Sequence, residues 1–83
     1  MTGKTINVLY FAQVAEQIGT RQESWNLPAP MPAHEWMTQL QKRHPELGPS
    51  GRLQIAINQQ HATLDDIIRP GDEVAIFEPV TGG

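Results

Sequence analysis

Cysteine is absent from this 83-residue chain, and basic residues are few. Without a thiol, the chain can form no disulfide bond, hold no metal through thiolates and use no cysteine nucleophile. Six lysines and arginines against nine acidic residues give a net charge of −3. Because nucleic acids and anionic membranes bind clustered positive charge, neither is expected as the main partner.

Long apolar runs are missing as well. No segment approaches the roughly 18 apolar residues that mark a membrane span, and the first residues, Met1-Thr2-Gly3-Lys4, show no signal-peptide pattern. We therefore expect a soluble, cytoplasmic protein with no membrane partner. At this length we expect one domain over residues 1–83, with one modest core and no room for a deep active-site cavity of its own.

Strand and helix patterns alternate along the chain without a repeat or a linker. Strands are predicted at 6–11, 21–27, 53–57 and 73–78, a short helix at 12–18, a main helix at 33–44, an extended piece at 61–64, a helical turn at 65–68, and turns at 58–60 and 70–72. The first strand is almost continuously apolar, which predicts burial on both faces and a central position. The second is more polar, which predicts a sheet edge or one solvated face. Gly19 ends the short helix, and Pro45 stops the main helix at the preceding residue.

The apolar pattern also predicts the fold class. Trp36, Met37 and Leu40 form the stripe of a helix that lies on a sheet. Because the first and last strands are the most apolar, the most economical packing places them side by side, parallel, in the middle of a mixed sheet. With the main helix on one face, this is an α+β protein of the β-grasp, ubiquitin-like type.

The chain closes on the segment Pro79-Val80-Thr81-Gly82-Gly83, directly after the last strand. Proline cannot donate to a β-ladder, so Pro79 ends that strand and begins a tail, which we expect to be flexible over residues 79–83. A diglycine terminus offers a backbone carboxylate with no side chain around it. Such a group can enter a narrow partner active site and react as an acyl group. A frayed end without function is the alternative.

Other candidate residues favour structural roles. His34, His44 and His61 lie on three segments with no carboxylate at ligand spacing, so surface histidines are favoured over a metal site. Asp65 and Asp66 are adjacent and do not share a face of a helical turn. Capping and solvation are therefore favoured over a paired-carboxylate site.

Phe11 and Phe77 lie at the ends of the two predicted central strands. They either belong to the core or form an apolar docking patch beside the start of the tail. The sequence leaves both interpretations open.

Several segments together resemble a known family. The opening Ile6-Asn7-Val8-Leu9-Tyr10-Phe11-Ala12, with its short helix ending at Gly19, resembles the small, sulfur-carrying subunits of molybdopterin synthase. The later segments Ala56-Ile57-Asn58-Gln59, Gly71-Asp72-Glu73-Val74-Ala75-Ile76-Phe77 and Pro79-Val80-Thr81-Gly82-Gly83 are similar to the second half of that family in order and spacing. The resemblance covers nearly the whole chain, and its closing motif is the most specific part.

The chain departs from the family pattern at three places. Relatives often carry two prolines before the valine of the tail, where Glu78 precedes a single proline here. They often carry a bulky aliphatic residue after the Asn58-Gln59 turn, where this chain has Gln60 and His61. In relatives, the short first helix often carries a basic residue near the position that Ala15 occupies in this chain.

The resemblance implies a specific chemistry for Gly83. An adenylating enzyme would activate its carboxylate with ATP and Mg²⁺, and a sulfur donor system would convert the acyl-adenylate to a thiocarboxylate. The tail would then enter the large catalytic subunit of molybdopterin synthase and give its sulfur to a cyclic pyranopterin precursor of the molybdenum cofactor. A terminal thiocarboxylate would explain how a chain without cysteine carries sulfur.

The resemblance further implies a non-catalytic, sulfur-donating subunit in a heterotetramer built around a large-subunit dimer, with no permanently bound cofactor. Two other functions remain open. One is a sulfur carrier for thiamine thiazole or another thio-metabolite. The other is a ubiquitin-like modifier whose Gly83 forms an isopeptide with a lysine. The Pro-Val-Thr-Gly-Gly ending favours the molybdopterin synthase function.

Overall fold

The computed structural model of the chain describes residues 4–47 and 52–79. These form seven strands, two α-helices and one 3₁₀ turn within the described ranges. The elements in chain order are β1 (Thr5–Tyr10), α1 (Ala12–Ile18), β2 (Gln22–Asn26), β3 (Met31–Pro32), α2 (Ala33–Arg43), a 3₁₀ turn (Pro45–Leu47), β4 (Gln54–Ile57), β5 (Gln60–Ala62), β6 (Ile67–Ile68) and β7 (Glu73–Phe77).

The main sheet has the strand order β2-β1-β7-β4-β5. Its centre is the parallel pair of β1 and β7, in which Val8 lies opposite Val74 and Leu9 opposite Ala75. The other neighbours in this sheet pair antiparallel. The predicted central pair of first and last strands is therefore confirmed, and so is the edge position of the polar second strand. The arrangement is the β-grasp fold.

The core lies between one face of this sheet and α2. From β1 the buried side chains are Ile6, Val8 and Tyr10, and Trp36 and Leu40 meet them from α2 with no exposed surface. Burial along β1 alternates residue by residue. The prediction that this strand is buried on both faces is wrong, because α2 covers one face and the side chains on the other are only half-buried.

A local glycine ends α1, whereas a distant segment caps the start of α2. Gly19 follows α1 with a φ of 92°, the left-handed conformation that glycine adopts without a Cβ penalty. Helix α2 begins after Pro32, and its first two N–H groups are satisfied by the chain downstream. The Ala33 N–H donates to the Asp66 carbonyl at 2.8 Å and the His34 N–H to the Leu64 carbonyl at 3.0 Å. These bonds satisfy two donors that a helix start leaves open.

The segment 65–68 differs from its prediction as a helical turn. Only its first half is a turn, in which the exposed Asp66 accepts a hydrogen bond from the Thr63 N–H at 2.8 Å. The second half, Ile67–Ile68, is strand β6 and pairs antiparallel with β3. Strand geometry turns Ile68 fully into the core and leaves the preceding carbonyls free to cap α2. Neither helix in the described ranges is long and apolar enough to cross a membrane.

Candidate functional site

The point from which the tail departs is fixed by the central strand pair. Because β1 and β7 are parallel, their carboxyl ends meet at the same edge of the sheet. There the Phe11 N–H donates to the Ile76 carbonyl at 3.2 Å. Pro79 is described and exposed, whereas the predicted tail residues Val80, Thr81, Gly82 and Gly83 lie outside the described residues.

Phe11 projects from the surface beside this point. It is the N-cap residue of α1, and its side chain is 48% exposed, which excludes it from the core. The next residue, Ala12, has a φ of 50°. A left-handed alanine costs about 1–2 kcal/mol, and here it marks the sharp change of direction from strand to helix.

Phe77 lies on the sheet face away from α2. Val74 and Ile76 of the same strand are buried, so Phe77 points to the opposite face, where it is half-buried. Its ring lies 6.2 Å from that of His61, at an interplanar angle of 50°. No ring contact joins Phe77 to Phe11 among the described side chains. The structure places both at the same end of the sheet without bringing them together.

Phe77 belongs to a partly apolar surface that we call the open face. Strand register places Leu9, Ala75 and Ala56 side by side across β1, β7 and β4. Gln54 lies opposite Phe77, and His61 lies opposite Ala56. The exposed face of a sheet is commonly polar. An apolar centre with a polar rim is instead typical of a surface that binds another protein.

Next to the open face, a groove runs between α1 and the ends of β1 and β2. Its lining includes Leu9, Phe11 and Ala15, with Arg21 and Gln22 at the β2 side. The groove continues the apolar surface around Phe11. A partly exposed apolar surface at this end of the molecule therefore extends from Phe77 past Leu9 to α1.

A polar cluster on the core side joins the same end of β1 to the end of α2. The Tyr10 hydroxyl donates to Glu23 Oε1 at 2.6 Å, and Trp25 Nε1–H donates to the same oxygen at 3.2 Å. His44 Nε2 lies 3.0 Å from it. Because an ionised carboxylate only accepts, this nitrogen carries the proton. Arg43 stacks over the Trp25 ring at 3.8 Å.

The cluster changes the acidity of two of its members. Burial raises the pKa of the Glu23 carboxyl, but the hydrogen bonds from Tyr10, His44 and Trp25 lower it by more, so its pKa lies below the ordinary value. Burial raises the pKa of the Tyr10 hydroxyl, and its bond to Glu23 raises it further. Glu23 is therefore held as a carboxylate, and Tyr10 is held as a neutral donor.

The three histidines occupy different environments. His34 and His61 are exposed, as predicted for surface histidines. The prediction is wrong for His44, whose side chain is only 12% exposed and lies between two carboxylates. Glu23 and Glu46 contact opposite ring nitrogens of His44, so the three cannot converge on one ion. Within residues 4–47 and 52–79, no group of three or more metal-ligating side chains is placed to hold a metal.

The position of His61 and Gln54 beside Phe77 does not follow from the predicted turn. The turn was predicted at 58–60, and this is wrong by one residue. Asn58 and Gln59 alone form the turn, both with positive φ, and Ile57 pairs with Gln60. A two-residue hairpin turn fixes the register of its strands. Counting from that turn would have placed His61 on the face that carries Ala56.

Comparisons with known proteins agree on the family. Residues 8–83 match the ThiS family. The chain is 34% identical to the molybdopterin synthase sulfur carrier subunit of Homo sapiens, with 94% of this chain and 93% of the relative covered. It is 38% identical to the subunit of the same name from Escherichia coli strain K12, with 94% and 99% covered.

Among solved structures, the chain is similar to the small archaeal modifier protein 1 of Haloferax volcanii. The TM-score is 0.78 at 26% identity, and the match covers 94% of this chain and 100% of the archaeal chain. Sequence and structure thus place the chain in one group of small β-grasp proteins. The chain belongs to the ThiS family, together with the molybdopterin synthase sulfur carrier subunits.

Proposed function

We propose that this protein is the sulfur carrier subunit of a molybdopterin synthase and that Gly83 carries the sulfur as a thiocarboxylate. The observation that carries the proposal is the family match, which continues through the diglycine to residue 83. It is supported by the coverage of 93% and 99% of two sulfur carrier subunits. The chain has no cysteine that could hold the sulfur instead.

The proposed chemistry has two steps on this chain. A carboxylate oxygen of Gly83 attacks the α-phosphorus of ATP on an activating enzyme that binds Mg²⁺, and pyrophosphate leaves. A sulfide-level donor then attacks the acyl carbon, AMP leaves, and a thiocarboxylate remains. A carboxylate is a poor acyl donor, and the adenylate supplies the missing leaving group.

Sulfur transfer then takes place in the partner. The tail enters the large catalytic subunit, where the thiocarboxylate sulfur is given to the pyranopterin precursor and water restores the carboxylate. The open face and Phe11 dock on that subunit, with Phe77 as an aromatic anchor of the kind that contributes most to protein interfaces. We propose a heterotetramer with a large-subunit dimer at its centre.

The test is a reconstitution of sulfur loading. The full chain is incubated with ATP, Mg²⁺, its activating enzyme and sodium sulfide, and intact-mass spectrometry is followed by fragmentation. We expect the mass change of one oxygen replaced by sulfur, located at Gly83. A control chain with one extra residue after Gly83 should stay unmodified, because its carboxylate is displaced by about 3.5 Å from the reacting position.

Two outcomes would contradict the proposal. One is a mass change that persists in the extended control. The other is a change that maps to an internal residue. Similarity to an archaeal modifier protein supports a second candidate function, conjugation of Gly83 to a lysine. A stable lysine conjugate as the main product would favour that function.

A further inference from the structure

We propose that His61 and Gln54 form a polar recognition pair that determines which large subunit the open face accepts. The proposal rests on the proposed function, because it assumes that this face docks on a large subunit. It adds that the partner surface facing these two side chains is polar. An apolar partner surface at that place would bind poorly.

The geometry places the pair inside the docking surface. His61 Nε2 lies 2.9 Å from Gln54 Oε1. The His61 ring also lies against Phe77, with 6.2 Å between ring centroids. Gln54 is the register partner of Phe77 on the neighbouring strand. The pair is therefore next to the proposed aromatic anchor, where a bound partner would cover it.

The hydrogen-bonding capacity of the pair exceeds what it uses internally. With the His61 Nε2–H donating to Gln54 Oε1, the Nδ1 atom of His61 is left as an acceptor and the Gln54 amide keeps two N–H donors. A partner that buries these groups must supply a donor and an acceptor at matching positions. A partner without them leaves polar groups buried and unpaired, and its affinity falls by about tenfold or more.

A polar pair of this kind gives selectivity that an apolar patch lacks. Leu9, Ala56, Ala75 and Phe77 can pack against many apolar surfaces, and apolar contact alone discriminates weakly between them. Specific interfaces add groups that penalise wrong partners. His61 supplies such a group beside Phe77, where its ring and its contact with Gln54 border the apolar side chains of the open face.

The experiment compares two large subunits in a calorimetric titration with the full chain. One is the large subunit from the same organism. The other is chosen because its own small subunit carries leucine at the position aligned with His61. We expect H61L to weaken binding to the first about tenfold and to strengthen binding to the second.

His34→Leu is the matched control. It makes the same change at another exposed histidine, on α2 and away from the open face, so both affinities should match those of the parent chain. Gln54→Leu is the second variant, and it should change the ratio of the two affinities in the same direction as H61L. Thermal unfolding of each variant separates a change of selectivity from a loss of fold.

The outcomes separate the inference from the function beneath it. If the parent chain binds its own large subunit and neither H61L nor Q54L changes the ratio of affinities, the recognition pair is refuted and the docking function stands. If the parent chain binds neither large subunit, the proposed function fails and the inference fails with it. A shift in ratio for both variants, with no shift for H34L, supports the recognition pair.

Discussion

Replacement of Glu23 by glutamine should destabilise the fold in a way that depends on pH. Three donors, from Tyr10, Trp25 and His44, converge on one oxygen of this carboxylate. Glutamine keeps an oxygen at that position and removes the charge. The change therefore tests the charge-assisted part of the three bonds while leaving side-chain volume almost unaltered.

The magnitude follows from the strength of such bonds. Hydrogen bonds to charged groups contribute about 1.5–3 kcal/mol, and neutral ones about 0.5–1.5 kcal/mol. Three bonds share one oxygen, and the Glu23 side chain is 25% exposed, so solvent screening reduces their sum. We expect E23Q to lower the free energy of unfolding by about 1.5 kcal/mol. For a domain of this size, the melting temperature should fall by roughly 6–12 °C.

The pH dependence gives the sharper test. Because the folded-state pKa of Glu23 is lowered, its stabilisation is complete above the unfolded pKa and is lost as the pH falls through the folded pKa. The difference between the parent chain and E23Q should therefore be full at pH 7 and shrink as the pH falls through the lowered folded-state pKa of Glu23. Urea unfolding across this range measures it, with E16Q, at an exposed carboxylate on α1, as the matched control. A difference that is independent of pH, or no larger than that of E16Q, would refute the role assigned to the carboxylate.

Other substitutions test the tail, the open face and two turns. Gly82→Ala should leave thermal unfolding nearly unchanged and lower sulfur transfer, and equal turnover would refute the narrow-channel argument. Phe77→Asp should weaken binding to the large subunit by at least about tenfold. The isolated chain should stay folded, because Phe77 lies outside the buried core. Unchanged affinity in a titration would show that Phe77 is not part of the interface. Gln59→Gly should stabilise the β4–β5 hairpin by about 0.5–1 kcal/mol, because Gln59 has a φ of 70°, and a lower urea midpoint would contradict this. Gly71→Ala should destabilise the fold by about 1 kcal/mol, because Gly71 has a φ of 93°, which is unfavourable for alanine. A Cβ at this position would have no contact within 4 Å, so strain in the backbone is the whole cost. A larger loss would indicate a clash and contradict this.

The elements that were predicted well are those whose signals are local. Helix α1 has the predicted bounds, 12–18, because a strand pattern precedes it and Gly19 follows it. The central pair β1 and β7 was predicted because their continuous apolar runs need the most covered positions in a sheet. In each case the signal that predicts the element lies within its own segment of the chain.

The features that were missed depend on distant residues. Strands β3 and β6 have two residues each, too few to show a period, and Ile67–Ile68 becomes a strand only when Met31–Pro32 lies beside it. His44 was assigned to the surface because its contact with Glu23 joins positions 21 residues apart. No local sequence pattern predicts such a contact, and none predicts the position of His61 beside Phe77.

The reach of the tail gives an independent reason to place docking on the open face. Four residues, Val80 to Gly83, span at most about 14 Å beyond Pro79 when fully extended. A partner that holds Gly83 in its active site must therefore contact the domain close to the end of β7, where Phe77 and Phe11 lie. A partner on the outer side of α2 would be separated from that point by the helix layer, about 10 Å thick, and most of the tail would be used in passing it. Docking on the open face leaves almost the full length of the tail for the channel. The chemistry at Gly83 and the selection at His61 can therefore use the same docking surface. Mutations at the two positions would still disrupt them separately.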